Sequence, residues 1–281
     1  MFGIFDADDM EGWRDNVREA AICLRSAYED GMRTGAFTPE DLDHRRGLGF
    51  LAIPVGVSMG GGQERPGNLF HHLHARRVVS QAILRNPAIK RIAACFAMFA
   101  PKLHRLYKEV LGDLFDTYPH LERNFSNSVF PAVSFNCGPA SVCIDHADFN
   151  NLSFGLCLIT ALGDFDYKTG GHVVLHGIKK VIELPPGSTL AIPSSLEVHS
   201  NTGIKPSETR YSITQYAAGG LFRWIAYDGV TAKKLLSTKA GKKKKSAADG
   251  PEGQRWADGL SLYSTMESWA QDHEDVKSDS K

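Results

Sequence analysis

The chain has 281 residues, 42% hydrophobic and 23% charged, enough apolar sequence for a sizeable core. Its formal net charge is zero, which excludes a global electrostatic pull towards nucleic acid or membrane. Five cysteines without a CxxC pair, several in apolar runs such as FGLCLIT, fit reduced thiols of an intracellular protein rather than a disulfide framework. No stretch reads as a signal peptide, and none approaches the roughly 20 apolar residues that span a bilayer.

Residues 8 to 30 predict an amphipathic helix, with Trp13, Val17, Ala21, Leu24 and Ala27 at intervals of three or four and Gly31 and Gly35 ending it. Its start is acidic, with Asp6, Asp8, Asp9, Glu11, Asp15 and Glu19. Residues 48 to 69 predict a short strand and a glycine-rich loop. Gly60, Gly61 and Gly62 lack the GKS/GKT or GxGxxG of a phosphate loop. Gly56-Val57-Ser58-Met59-Gly60 matches GxSxG, but GGQERPGN opens no helix behind it, so it reads as a turn rather than a nucleophile elbow.

Residues 70 to 116 predict two helices broken near Asn86-Pro87. Residues 61 to 110 hold nine Lys/Arg, among them Arg76, Arg77 and Arg91, against Glu64 and Glu109. That block is a candidate grip for a phosphate backbone, or else a solvated face balanced by the acidic N-terminal end. His71, His72 and His74 read as part of a basic helix face, because zinc would need a fourth suitable ligand nearby.

From about residue 129 the runs VFPAVSFN, SVCIDH, SFGLCLIT, HVVLH, KVIEL, STLAIP and TRYSITQYA are short, β-rich and separated by turn formers. The predicted class is therefore α+β: a double-stranded β-helix (jelly-roll) core over 121–230, preceded by an α-helical N-terminal region over 1–120 that packs on it. Residues 231–281 predict a polar, largely disordered tail in which WADGLSLYSTMESWAQ could form one short helix. Lys242 to Lys245 read as a nuclear-localisation signal or as a soluble linker.

Within the β-region His146-Ala147-Asp148 offers two metal-capable side chains, and His199 follows 53 residues later across several strands. Two imidazoles and one carboxylate on one face of a metal leave three positions open, which suits non-haem Fe(II). Arg210 follows His199 by eleven residues. A ferrous centre of this kind needs a chelating co-substrate such as 2-oxoglutarate, whose far carboxylate needs an anchor. Arg suits that role because its fork pairs bidentately and stays charged when desolvated. Ser212 shares a strand face with Arg210. Asn136, in SFNCGP, either projects an amide towards the co-substrate or makes an Asx turn. Asn150 and Asn151 overlook the HxD as base-edge contacts or as turn residues. Tyr216, Phe222 and Trp224 read first as core and second as stacking aromatics. His172 and His176 read as structural.

HxD, a distal His and an Arg eleven residues on resemble the 2-oxoglutarate/Fe(II)-dependent dioxygenase superfamily over residues 125 to 227. The resemblance implies His146, Asp148 and His199 as iron ligands, Arg210 as the 2-oxoglutarate anchor and dioxygen as second co-substrate. The texture of FNNLSFGLCLITALGDFDYKTGGHVVLHGIKKVIELPPGSTLAIPSSLEVHSN and ETRYSITQYAAGGLFRW resembles the fungal TET/JBP-like oxygenases. That likeness implies oxidation of a methyl group on a nucleic-acid base, whether 5-methylcytosine, thymine or N6-methyladenine. DNA or another nucleic acid would be the partner, with nuclear residence following if the substrate is DNA. The scattered cysteines depart from the animal TET pattern and its cysteine-rich DNA-clamping module. Three alternatives stay open: a 2-oxoglutarate oxygenase acting on a protein side chain or small metabolite, a catalytically silent jelly-roll binding module, and a cupin-type metal enzyme. The last leaves Arg210 unexplained. Oligomeric state is not legible.

Overall fold

The computed structural model describes residues 3–5, 12–69, 73–93, 96 and 100–278. The acids Asp6, Asp8, Asp9 and Glu11, the pair His71-His72 and Cys95 lie outside them. No helix among the described residues is long and apolar enough to cross a membrane.

Helix α1 (Trp13–Arg33) buries Trp13, Val17, Ala20, Leu24 and Ala27. It runs through Gly31, where an added Cβ would come within 2.8 Å of the Phe37 ring, and Gly35 follows at φ +69°. The glycine at 31 therefore serves close packing, and the expected stop lies further on. Strands β1 (Gly3–Phe5), β2 (Asp43–His44), β3 (Gly47–Leu48), β4 (Leu51–Ser58) and β5 (Gly67–Asn68) precede three helices: α2 (His74–Arg85), α3 (Pro87–Ile92) and α4 (Pro101–Thr117). The break between α2 and α3 falls at Asn86, whose side-chain oxygen caps α3 by accepting from the Ala88 and Ile89 amides. No helix follows Ser58, so the GxSxG match is a strand end and turn.

The β-region comprises β6 (Ala132–Cys137), β7 (Cys157–Asp164), β8 (Val173–Leu175), β9 (Lys180–Ile182), β10 (Thr189–Ile192), β11 (His199–Asn201) and β12 (Thr209–Tyr216). Between β6 and β7 one further extended run pairs through a bridge at His146. Of these eight runs the first pairs with the last (β6·β12), the second with the seventh (His146 with His199), the third with the sixth (β7·β10) and the fourth with the fifth (β8·β9). Such nested antiparallel pairing is the winding of a jelly roll. β4, β5 and β1 extend the larger sheet to the order β1-β10-β7-β12-β6-β4-β5, and the smaller sheet is β11-β8-β9.

Alternation along the strands sorts the layers. On β7, Cys157, Ile159 and Ala161 face the interior of the roll, where Phe165, Leu175, Leu190 and Ile192 meet them. Val133, Phe135, Leu162, Tyr211 and Ile213 face outwards and pack under α1, α2 and α3. A second outer cluster joins α4 to Leu158 and Ala191. The helices thus brace one face of the larger sheet and leave the opposite face to line the roll.

The tail differs from its expected disorder. Helices α5 (Gly219–Ala226), α6 (Ala232–Leu236), α7 (Lys239–Asp249), α8 (Gln254–Ser261) and α9 (Trp269–Ser278) occupy the C-terminal region. Hydroxyl caps open two of them: Thr231 accepts from the Lys234 amide and Thr238 from the Gly241 amide. Leu235 is buried, and Asp249 ties Tyr227 (2.7 Å) to Lys245 (2.5 Å) and Arg255 (2.9 Å). Polar composition hid these anchors, because each is a single capping or clamping residue within an otherwise linker-like stretch.

Candidate metal centre

His146, Asp148 and His199 come together, each offering one donor atom, and the three atoms lie within 4.8 Å of one another. The second and seventh runs are joined by a reciprocal pair: the His146 N–H donates to the His199 carbonyl (3.0 Å) and the His199 N–H to the His146 carbonyl (2.9 Å). The two imidazoles therefore start from directly opposed backbone positions, with ring centroids 4.3 Å apart. Each ring is oriented by a backbone carbonyl two residues earlier: His146 Nδ1 sits 2.8 Å from Ile144 O and His199 Nδ1 sits 2.9 Å from Glu197 O. A carbonyl only accepts, so Nδ1 carries the proton in both rings and Nε2 presents its lone pair. Burial lowers the His199 pKa and the Glu197 carbonyl partly offsets this, which favours the neutral ring a metal needs.

Asp148 is 7% exposed. Its backbone N–H donates to Ser194 O (2.8 Å) and its carbonyl accepts the Asn151 N–H (2.8 Å), so a tight turn presents the carboxylate. Arg46 Nη2 donates to one carboxylate oxygen at 2.5 Å, and Asn151 Nδ2 approaches the other at 3.5 Å while donating to Ser194 Oγ at 3.0 Å. Sequence reasoning missed Arg46, which lies in the β2–β3 hairpin 102 residues before its partner. The only local signal is the Arg45-Arg46 pair at a hairpin turn.

Arg210 is 2% exposed. Its Nη1 donates to Ser141 O (2.9 Å), its guanidinium lies 5.9 Å from the Phe165 centroid, and its buried Nε has no partner. Burial pulls its pKa down to about 10, opposed by the Cys143 thiol. No ion pair forms on it among the described residues. A desolvated guanidinium without a counter-charge is costly, and an anionic ligand would relieve that cost. Two residues on along β12, Ser212 accepts from Asn136 Nδ2 at 2.8 Å directly across the strand pair. Asn136 is thus strand, not Asx turn, and its bond leaves the Ser212 hydroxyl proton free to donate.

Of the remaining candidates, Asn150 is exposed, and its side chain lies beside Gly60. Asn151 holds the turn under Asp148. Phe222 packs on Tyr107 with centroids 5.1 Å apart, and Trp224 is buried against Tyr118. Tyr216 is half-buried at the end of β12, its pKa pushed up to about 12 by burial. His176 contacts Ser200 (2.9 Å) and Asp145 (3.1 Å). Exposed apolar side chains cluster in sequence around the ligands: Ile144 (55% exposed), Phe149 (82%) and Val198 (38%).

Among the described residues, three of the nine cations of residues 61–110 form ion pairs within the fold. Arg76 forks onto both Asp41 oxygens (2.9 and 2.7 Å) and the Ala36 carbonyl, Lys102 pairs with Asp272 (3.2 Å) and Arg105 with Glu109 (3.8 Å).

No protein-family model matches the chain, and no curated protein matches it. Among solved structures it is similar to NgTET1 in complex with 5mC DNA, at 17% identity over 73% of this chain and 68% of that one, TM-score 0.48. It is also similar to OsALKBH1 (13% identity over 77% and 96%, TM-score 0.42) and to the 2OG complex of the viral collagen prolyl hydroxylase vCPH from Paramecium Bursaria Chlorella virus-1 (11% over 77% and 96%, TM-score 0.34). With every one of these scores below 0.5, the jelly roll and its His-Asp-His cluster stand on the chain's own strand pairing and side-chain placement.

Proposed function

We propose that the chain is an Fe(II)- and 2-oxoglutarate-dependent dioxygenase that hydroxylates a methyl group on a nucleic-acid base. One observation carries the chemistry: a two-His, one-carboxylate cluster shares the jelly roll with a buried arginine that lacks a counter-charge. That donor set suits ferrous iron and leaves three positions open. When bound, the iron and its keto-acid co-substrate would activate dioxygen for C–H hydroxylation: one oxygen atom enters the hydroxylated product and the other enters succinate, as 2-oxoglutarate loses carbon dioxide.

The chain's residues do the positioning. His146 and His199 hold their Nε2 lone pairs forward through their carbonyl-bound Nδ1 protons. Arg46 fixes the Asp148 carboxylate. Arg210 binds the far carboxylate of 2-oxoglutarate, and the Ser212 hydroxyl, held by Asn136, donates to the same group. The apolar interior made by Ile159, Phe165, Leu175 and Ile192 keeps water from the chelated co-substrate.

The nucleic-acid substrate is supported by the sequence likeness to the TET/JBP-like oxygenases and by the mouth of the site. There Phe149 stands 82% exposed between Asp148 and the amide of Asn150, a flat apolar face beside a hydrogen-bonding group. Such a pairing suits an extruded base.

Anaerobic titration with Fe(II) and 2-oxoglutarate tests the chemistry. A visible charge-transfer band is expected in wild type, lost in Asp148→Ala and weakened in Arg210→Ala. Folded wild type without the band would overturn the reading. Mass analysis of oligonucleotides carrying each methylated base, beside a peptide and metabolite panel, then tests the substrate.

A further inference from the structure

The lysine-rich segment, polar enough to read as disordered, forms a helix with a defined outer face. On α7, Gly241 lies against the Leu235 carbonyl, where an added Cβ would sit 2.2 Å away, so this side of the helix faces the protein. Lys245, one turn on, is half-buried with Asp249 as its partner. At 100° per residue, Lys239 and Lys243 project from the opposite side and Lys242 from the flank, and all three are exposed. Lys233 and Lys234 on α6 are exposed as well. Lys244 pairs with Asp228 at 2.8 Å. The other five make no ion pair among the described residues.

This face opposes itself. Lys239 has like charges at i+3 and i+4, an arrangement that destabilises an isolated helix. Here the Thr238 cap and the Asp249 clamp hold the helix in spite of it. An external polyanion would remove the repulsion. A cleft runs from the Asn150 side towards α6: a Cβ on Gly60 would lie 3.5 Å from the Asn150 side chain, and Gly60, Arg223, Thr231 and Ala232 line the cleft, which ends at the start of α6.

We propose that the exposed lysines of α6 and α7 bind the phosphate backbone of the nucleic acid whose base enters the metal centre. The inference rests on the proposed function for why a nucleic acid comes to this molecule. It moves the backbone contact away from the segment of residues 61–110, whose Arg76 is committed to Asp41.

The test is fluorescence anisotropy with a short unmodified DNA duplex across a range of KCl, using the full chain without iron or 2-oxoglutarate. The variant combines Lys233→Gln, Lys239→Gln, Lys242→Gln and Lys243→Gln; a control combines Arg77→Gln, Lys90→Gln and Arg91→Gln. The lysine variant is expected to bind at least tenfold more weakly. The slope of log affinity against log salt should become shallower by about 3.6, at roughly 0.9 for each of the four phosphates no longer neutralised. Circular dichroism should show helix content unchanged or raised, because repulsion is removed. Unchanged affinity and slope, weakening only in the arginine control, or binding to phosphatidylserine vesicles with none to DNA would each overturn the proposal. A failure of the iron chemistry leaves this measurement untouched, and an unaltered charge-transfer band in the lysine variant separates the two.

Discussion

Arg46 and Asp148 meet at 2.5 Å across 102 residues of chain, tying the β2–β3 hairpin to a candidate metal ligand. Groups that orient a ligand typically change metal affinity about 10–100-fold when removed. Arg46→Ala is therefore expected to weaken Fe(II) binding about tenfold, with the fold intact by circular dichroism. Tighter binding in the variant would show instead that the guanidinium competes with the metal for the carboxylate.

Arg210 sets function against stability. Replacing even a buried ion pair by apolar side chains of similar volume is often neutral or stabilising, by about 1–4 kcal/mol, and Arg210 has no ion-pair partner among the described residues to offset its burial. Arg210→Met is expected to abolish 2-oxoglutarate binding while leaving Tm unchanged or a few degrees higher. Calorimetry and the anaerobic titration check both halves, and a large fall in Tm would mean that the Ser141 contact outweighs the cost of burial.

Gly171 has φ +70°, and an added Cβ would come within 2.6 Å of the Phe165 ring and 3.3 Å of Arg210 Cδ. Gly171→Ala therefore combines backbone strain of about 1–3 kcal/mol with displacement of the arginine's aromatic support. The expected result is a lower Tm and a raised Kd for 2-oxoglutarate, with Fe(II) binding retained.

Phe149 carries no packing role at 82% exposure. Phe149→Ala should leave Tm, iron binding and 2-oxoglutarate binding unchanged and raise KM for a methylated oligonucleotide. An unchanged KM would remove this side chain from substrate contact.

The Asp249 carboxyl is pushed up by burial, but hydrogen bonds from Lys245 and Tyr227 and the charge of Arg255 outweigh this and hold its pKa below the ordinary value. Its folded pKa is thus lower than its unfolded one. The stabilisation is present above about pH 4, the unfolded value, and is lost as pH falls through the folded value. In urea unfolding, the gap between wild type and Asp249→Asn should shrink below about pH 4 and hold steady above it.

The legibility of the chain follows from how local each signal is. His146, Asp148, His199 and Arg210 stood out because their chemistry is rare and their spacing characteristic, and the structure brings the first three together. The strands were legible because short β-rich runs are bounded by turn formers, whereas the facing of β7, with Cys157, Ile159 and Ala161 inwards and Leu158 and Leu162 outwards, was not, since both its faces are apolar. Arg46 was not legible, because its role depends on a partner 102 residues away. The tail misled for a related reason. KAGKKKKSAAD has the composition of a linker, and what holds it are the Thr238 cap and an acid, Asp249, whose partners include Tyr227 far upstream. In the basic block the charges were legible, but the claim of Asp41 on Arg76, across 35 residues, was not.

The reciprocal bonds between His146 and His199 join the ends of a loop that contains β7, β8, β9 and β10. A cation gripping both imidazoles would be a buckle on that loop, closed only after the strands between have wound into place. Iron retention would then report whether the roll is fully wound. Partial unwinding that frees β11 would release the ion before the helical brace came apart, making the centre an early casualty of thermal or chemical stress.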